Sequence, residues 1–116
     1  MTKLTDTEQV ESLFASERPV LLFKHSTRCG ISARASREVE RFRSESPDVN
    51  VAWATVLVVE DRSVSQWVAS RLDIPHASPQ LILVVDGNSV WHTSHGSITT
   101  TSIRRALEEH GLWSSA

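Results

Sequence analysis

The order of its apolar patterns predicts that this 116-residue chain folds as an α/β domain, with a central four-stranded mixed sheet flanked by helices. Three observations carry that expectation. Segments with helical apolar spacing alternate with Val-rich runs, and residues 19–23 are apolar without a break, as a strand buried on both faces requires. Asp86-Gly87-Asn88 then separates the last two runs as a hairpin turn would. One domain spanning 1–116 is expected, because a chain of this length builds a single core and buries about two-thirds of its unfolded surface.

Residues 6–16 place Val10, Leu13 and Phe14 at helical spacing, and Thr5 with Glu8 three residues on forms a capping-box start. The first strand, 19–23, is bounded by Arg18 and Lys24. From residue 31 to about 44, the apolar Ile31, Ala35, Val39 and Phe42 recur every three or four positions, with Pro47 beyond the end, so this is the longest helix. Residues 49–59 are rich in Val and carry Trp53 and Thr55, which marks a second buried strand. Val64, Trp67, Val68 and Leu72 mark another helix.

Gln80–Val85 is the third strand, and 89–94 pairs back on it in antiparallel fashion. Residues 99–110 form the last helix, with Ile103, Ala106 and Leu107 inward and Gly111 just past its end. Right-handed crossovers make the first two strands parallel and add the hairpin alongside, which is the thioredoxin arrangement. No repeat, long linker or low-complexity segment interrupts it.

Twelve Lys and Arg against 14 Asp and Glu leave a net charge of −2, which argues against nucleic acid and anionic membrane surfaces as partners. Residues 1–6 carry no apolar signal core, and no apolar run approaches the roughly 18 residues of a membrane span. A cytoplasmic protein is expected.

The chain has one cysteine, Cys29, so no internal disulfide can form. Such a residue is either a small buried hydrophobe or a chemical group, and its context decides. Cys29 follows the first strand by the polar loop His25-Ser26-Thr27-Arg28 and precedes a helix starting near Gly30. Unpaired amides and the positive dipole end at that helix start favour a thiolate, Arg28 adds a cation, and the thiolate is the form that attacks disulfides.

Where dithiol motifs carry a second cysteine this chain has Ser32, in Cys29-Gly30-Ile31-Ser32. A mixed disulfide at Cys29 therefore needs an outside thiol for release, which predicts a monothiol cycle. Ser32 either donates to the thiolate or caps the helix start. Ser78-Pro79 stands before the third strand, where this fold places a cis proline facing the active cysteine; in cis, Ala77 and Ser78 offer backbone groups to a substrate strand. The alternative is a trans proline at a strand start.

His25, His76, His92, His95 and His110 match no common zinc spacing, so no metal site is expected. His25 and His76 can flank the sulfur, either tuning its charge or serving as a proton donor, or they bond only to loop backbone. Trp53, Trp67, Trp91 and Trp113 read as core or edge packing.

Three segments taken in order resemble the monothiol bacilliredoxins, the YtxJ-like bacillithiol-system proteins of the thioredoxin superfamily. They are Phe23-Lys24-His25-Ser26-Thr27 leading to Cys29 with Ile31-Ser32, then His76-Ala77-Ser78-Pro79-Gln80, then Trp91-His92-Thr93-Ser94-His95 followed by Ile98-Thr99. The resemblance implies an oxidoreductase that removes bacillithiol from S-bacillithiolated proteins in the bacterial cytosol. In such a cycle Cys29 takes up bacillithiol and is freed by a second low-molecular-weight thiol or another reductant. It implies bacillithiol as co-substrate and no bound cofactor. The family usually has proline after the active cysteine, where this chain has Gly30; glycine loosens the backbone and restores an amide donor near the sulfur.

Two other readings compete. Cys29-Gly30-Ile31-Ser32 also fits a monothiol glutaredoxin, linked to glutathione or an iron-sulfur cluster, but the Thr-Val-Pro segment and the Gly-rich acidic motif of those proteins have no counterpart here. In a non-catalytic interaction module of the same fold, Cys29 would be incidental.

Overall fold

The computed structural model describes residues 1–114. In chain order its elements are β1 (Thr2–Lys3), α1 (Thr7–Phe14), β2 (Val20–His25), α2 (Gly30–Glu45), β3 (Ala52–Leu57), α3 (Arg62–Leu72), β4 (Gln80–Val85), β5 (Asn88–Ser94), a 3-10 turn (His95–Ser97) and α4 (Thr100–Glu109). No helix among the described residues is long and apolar enough to cross a membrane.

The sheet has five strands in the order β1-β3-β2-β4-β5, rather than the four expected. The extra strand, β1, pairs only Thr2 with Ala54 and Lys3 with Thr55, too short a stretch to show any periodicity in the sequence. Parallel pairing of β2 with β3 and antiparallel pairing of β4 with both β2 and β5 follow the expected topology.

Strand alternation sends the residues of β2 to two cores. Val20 and Leu22 join Ala54, Val56, Ile82 and Val84 beneath Val10, Phe14, Val64 and Val68 of α1 and α3. Leu21 and Phe23 join Leu81 and Leu83 beneath Ala35, Val39 and Phe42 of α2 and Ile103 and Leu107 of α4. Each fully buried Leu here contributes about 1.5–3 kcal/mol of transfer free energy, so β2 anchors both layers. Trp53 and Trp113 pack against Phe42, and Trp67 packs on the opposite core, as the packing role expected of the tryptophans requires.

Several boundaries move for local reasons. Helix α1 is capped by Asp6 with Gln9 rather than by Thr5 with Glu8: the Gln9 amide donates to Asp6 Oδ1 at 2.8 Å, and the Asp6 amide donates to Gln9 Oε1 at 3.2 Å. Aspartate accepts more strongly than threonine at this position. Strand β3 is shorter than 49–59 because Val51 N–H turns back to the Val49 carbonyl before it, and Asp61 N–H turns back to the Leu57 carbonyl after it. The β4–β5 turn uses Asp86 (φ 52°) and Gly87 (φ 78°), a two-residue turn with both φ positive, so Asn88 belongs to β5. Strand β2 runs past residue 23 to include Lys24 and His25.

Asp6→Ala should lower unfolding free energy by about 1 kcal/mol in chemical denaturation, and Thr5→Ala by clearly less.

Candidate active site

Strand β2 ends at His25, and a three-residue loop delivers Cys29 to the N-cap of α2 in extended backbone geometry (φ −119°, ψ 127°). The first helical bond runs from Ala33 N–H to the Cys29 carbonyl at 3.0 Å, so the amides of residues 30–32 lie within the unpaired first turn. Cys29 is half-buried. Its side chain therefore occupies the place where capping residues present an anionic or polar acceptor.

Ser32 is fully buried, and its hydroxyl is committed to the loop. It accepts the Ser26 N–H at 2.9 Å and lies 2.6 Å from His25 Nδ1. It makes no hydrogen bond to the sulfur and does not cap α2, so neither sequence-based expectation for it holds. The reason is directional: a helical side chain one turn in leans back toward the N-terminus, which here brings it over Ser26. His25 stacks on Phe23 with ring centroids 5.3 Å apart, and burial holds its imidazole below the usual range, opposed by the charge of Glu60. Thr27, Arg28 and Gly30 are exposed, and apart from its chain neighbours and its own helix backbone no described residue comes within 4 Å of where a Gly30 Cβ would stand.

The loop preceding β4 forms the second wall. Lys24 pairs with Gln80, so one step further along both strands sets Pro79 beside His25. The Ser78–Pro79 bond is cis. Pro79 is buried and its carbonyl accepts the His95 N–H at 3.0 Å, while Ala77 is half-buried and His76 exposed. Ser78 Oγ and Gln80 Oε1 are buried without a hydrogen-bond partner among the described residues.

In the sequence Lys24 reads as the boundary of the strand. It is instead fully buried on the α1/α3 face, donating from Nζ to the Ser65 carbonyl at 3.0 Å and lying 3.2 Å from His76 Nδ1. Those partners keep the ammonium inside the ladder. Burial lowers its pKa from 10.5 to about 8. Burial, then the charges of Lys24 and Arg62, push His76 below the usual imidazole range. The signal was present in the alternation Val20, Leu22, Lys24: a lysine in register with core positions needs partners. Among the described residues, no three His, Cys, Asp or Glu side chains cluster as a metal site would need.

A lone thiol at a helix start, set at the end of a central strand beside a cis-proline loop, makes this a thioredoxin-fold thiol oxidoreductase. Solved structures agree on the fold. A thioredoxin-fold protein described as a candidate oxidoreductase is 30% identical, with a TM-score of 0.83 over 90% of this chain and 91% of its own. Fasciola hepatica thioredoxin is 21% identical, with a TM-score of 0.75 over 95% and 99% of the two chains. Thioredoxin from Trypanosoma brucei brucei, at 15% identity, superposes with a TM-score of 0.78 over 95% and 89%. The sequence profile of the family described as monothiol bacilliredoxin BrxC matches residues 2–103, and the chain belongs to that family.

Removing the Ser32 hydroxyl by Ser32→Ala strands a buried amide and should cost about 1–3 kcal/mol, with faster hydrogen exchange at the Ser26 amide. Protonation should also shape stability. Below the ordinary imidazole pKa of 6.5 the unfolded chain takes up protons that folded His25 and His76 still refuse, so stability falls as pH drops through that range. Between about 8 and 10.5 the unfolded chain keeps a proton that buried Lys24 releases. Denaturation across that window should therefore show the wild type gaining stability relative to Lys24→Met as pH rises.

Proposed function

We propose that this protein removes bacillithiol from protein mixed disulfides. Cys29 attacks the bacillithiol sulfur, the bond to the substrate protein breaks, and the substrate cysteine leaves as a thiolate that takes up a proton. Cys29 then carries bacillithiol. A second bacillithiol, or another reductant thiol, attacks that new disulfide and restores Cys29.

One observation carries this reading: Cys29 is the chain's only thiol, and the position three residues on holds Ser32, buried and bonded to the loop. No internal thiol can resolve the mixed disulfide, so the release step belongs to an external one. The family membership supports bacillithiol as that co-substrate, with no bound cofactor, and S-bacillithiolated proteins in the cytoplasm as substrates.

Within the site His25 fixes the loop through Ser32, and Cys29 stands at the N-cap of α2, above the unpaired amides of the first helical turn. Exposed Thr27 and Gly30 leave the sulfur's approach open, while His76, Ala77, Ser78 and Pro79 border the bound substrate.

Reduced protein should take up bacillithiol on Cys29 from a bacillithiolated substrate faster than it takes up glutathione from the matched glutathionylated one, read by intact-mass spectrometry. Transfer of glutathione alone would replace this reading with a glutaredoxin one, and transfer of neither would remove it. Cys29→Ser should abolish transfer while leaving the circular dichroism and thermal melt near wild type.

A further inference from the structure

Among the described residues, Lys24 is a buried cation with no counter-charge. Its side chain is 0% exposed, and its ammonium meets only neutral partners, the Ser65 carbonyl at 3.0 Å and His76 Nδ1 at 3.2 Å. Among the described residues no carboxylate forms an ion pair with Lys24 or with Arg62. Glu60, on the loop before α3, acts instead on His25. A charge removed from water without an opposite charge is costly to the folded state, so the arrangement favours an anion brought from outside.

Geometry also sets which atoms face outward. An ammonium can only donate, so His76 Nδ1 must accept from Lys24, and the imidazole proton resides on Nε2. His76 is exposed and thus presents an N–H donor. It lines a cleft of about 430 Å³ together with Val58, Val59, Arg62, Ser65 and Gln66. Val58 and Val59 supply an apolar wall, while Arg62 and His76 supply cationic and neutral donors. The cleft adjoins the thiol's own loop, because Val58 N–H donates to the carbonyl of His25 at 3.0 Å, and His76 leads directly into the Ala77-Ser78-Pro79 wall.

We infer that this cleft binds a carboxylate, and that the carboxylate belongs to the small thiol carried in the mixed disulfide that Cys29 attacks. The inference rests on the monothiol reading above and adds the feature by which the small thiol is selected. Arg62 grips the carboxylate with charge-assisted hydrogen bonds, His76 Nε2–H adds a third donor, and the buried ammonium behind them lowers the energy of the bound anion. An uncharged thiol of similar size gains none of this.

The test uses one single-cysteine model protein linked by disulfide to mercaptosuccinate, and the same protein linked to mercaptosuccinate dimethyl ester. Transfer onto Cys29 is timed by intact mass for wild type and for Arg62→Ala, whose exposed position leaves folding to be verified by thermal melt. The ratio of the dicarboxylate rate to the diester rate should fall about tenfold in Arg62→Ala. In wild type the same ratio should shrink as salt is raised. Separately, titration with succinate, which has no thiol, should shift the His76 imidazole NMR signals saturably in wild type and far less in Arg62→Ala. Equal ratios in the two proteins, with no succinate-dependent shift, would overturn the inference while the monothiol chemistry stands. Saturable succinate binding without any change in the ratio would overturn the assignment to the small thiol. If neither probe transfers, the monothiol reading fails on its own, and an absent succinate shift would then remove the anion site as well.

Discussion

Strand β2 is paired on both edges and covered on both faces, and strict alternation therefore decides where each of its last two side chains must go. Lys24 is sent to the α1/α3 layer and His25 to the α2/α4 layer. Both are polar at the tip, so each needs a partner at the depth where alternation leaves it. Lys24 finds Ser65 and His76, and His25 finds Ser32. One step of the strand thus ties α3 and the loop before β4 to one side of the site, and α2 to the other. A register slip of one residue would exchange the two side chains and leave both without partners.

That division of labour frees the sulfur. Because Ser32 holds Ser26 and His25, the loop between β2 and α2 keeps its shape without calling on Cys29, which stands half-buried at the N-cap with the unpaired amides of the first helical turn below it. The position where a dithiol protein would keep its second sulfur has become a structural hydroxyl. One residue, Ser32, therefore both leaves this position without a thiol and holds the loop through Ser26 and His25. Gly30 adds a backbone donor at the first helical position and leaves open space outside it.

The buried ammonium has a different logic. A core of this size is stabilised by apolar contact, and an apolar side chain at position 24 would fit that pattern more simply. The lysine is tolerated because its stem packs as a hydrocarbon and its head reaches two acceptors at the edge of a cleft. Its effect is to fix the tautomer of His76 and to set a positive charge behind the Ser65 and His76 wall of the cleft. The cost falls on the folded state and the benefit on whatever anion the cleft receives.

The sequence made legible the fold class, the element order, the antiparallel hairpin and the thiol's placement at a strand-to-helix junction. These follow from apolar periodicity, turn residues and the single cysteine, all of which are local in the chain. It did not disclose β1, whose two residues carry no period, or the choice of Asp6 over Thr5 as a cap, which turns on a one-residue shift in where the helix begins. Nor did it disclose what Ser32 bonds to, or that Lys24, His76 and Ser65 meet. Those depend on β2, α3 and the loop before β4 converging from positions up to 52 residues apart, with hydrogen-bond partners chosen by distances of about 3 Å that no local pattern encodes. Local physics placed the thiol, and packing across the sheet decided its surroundings.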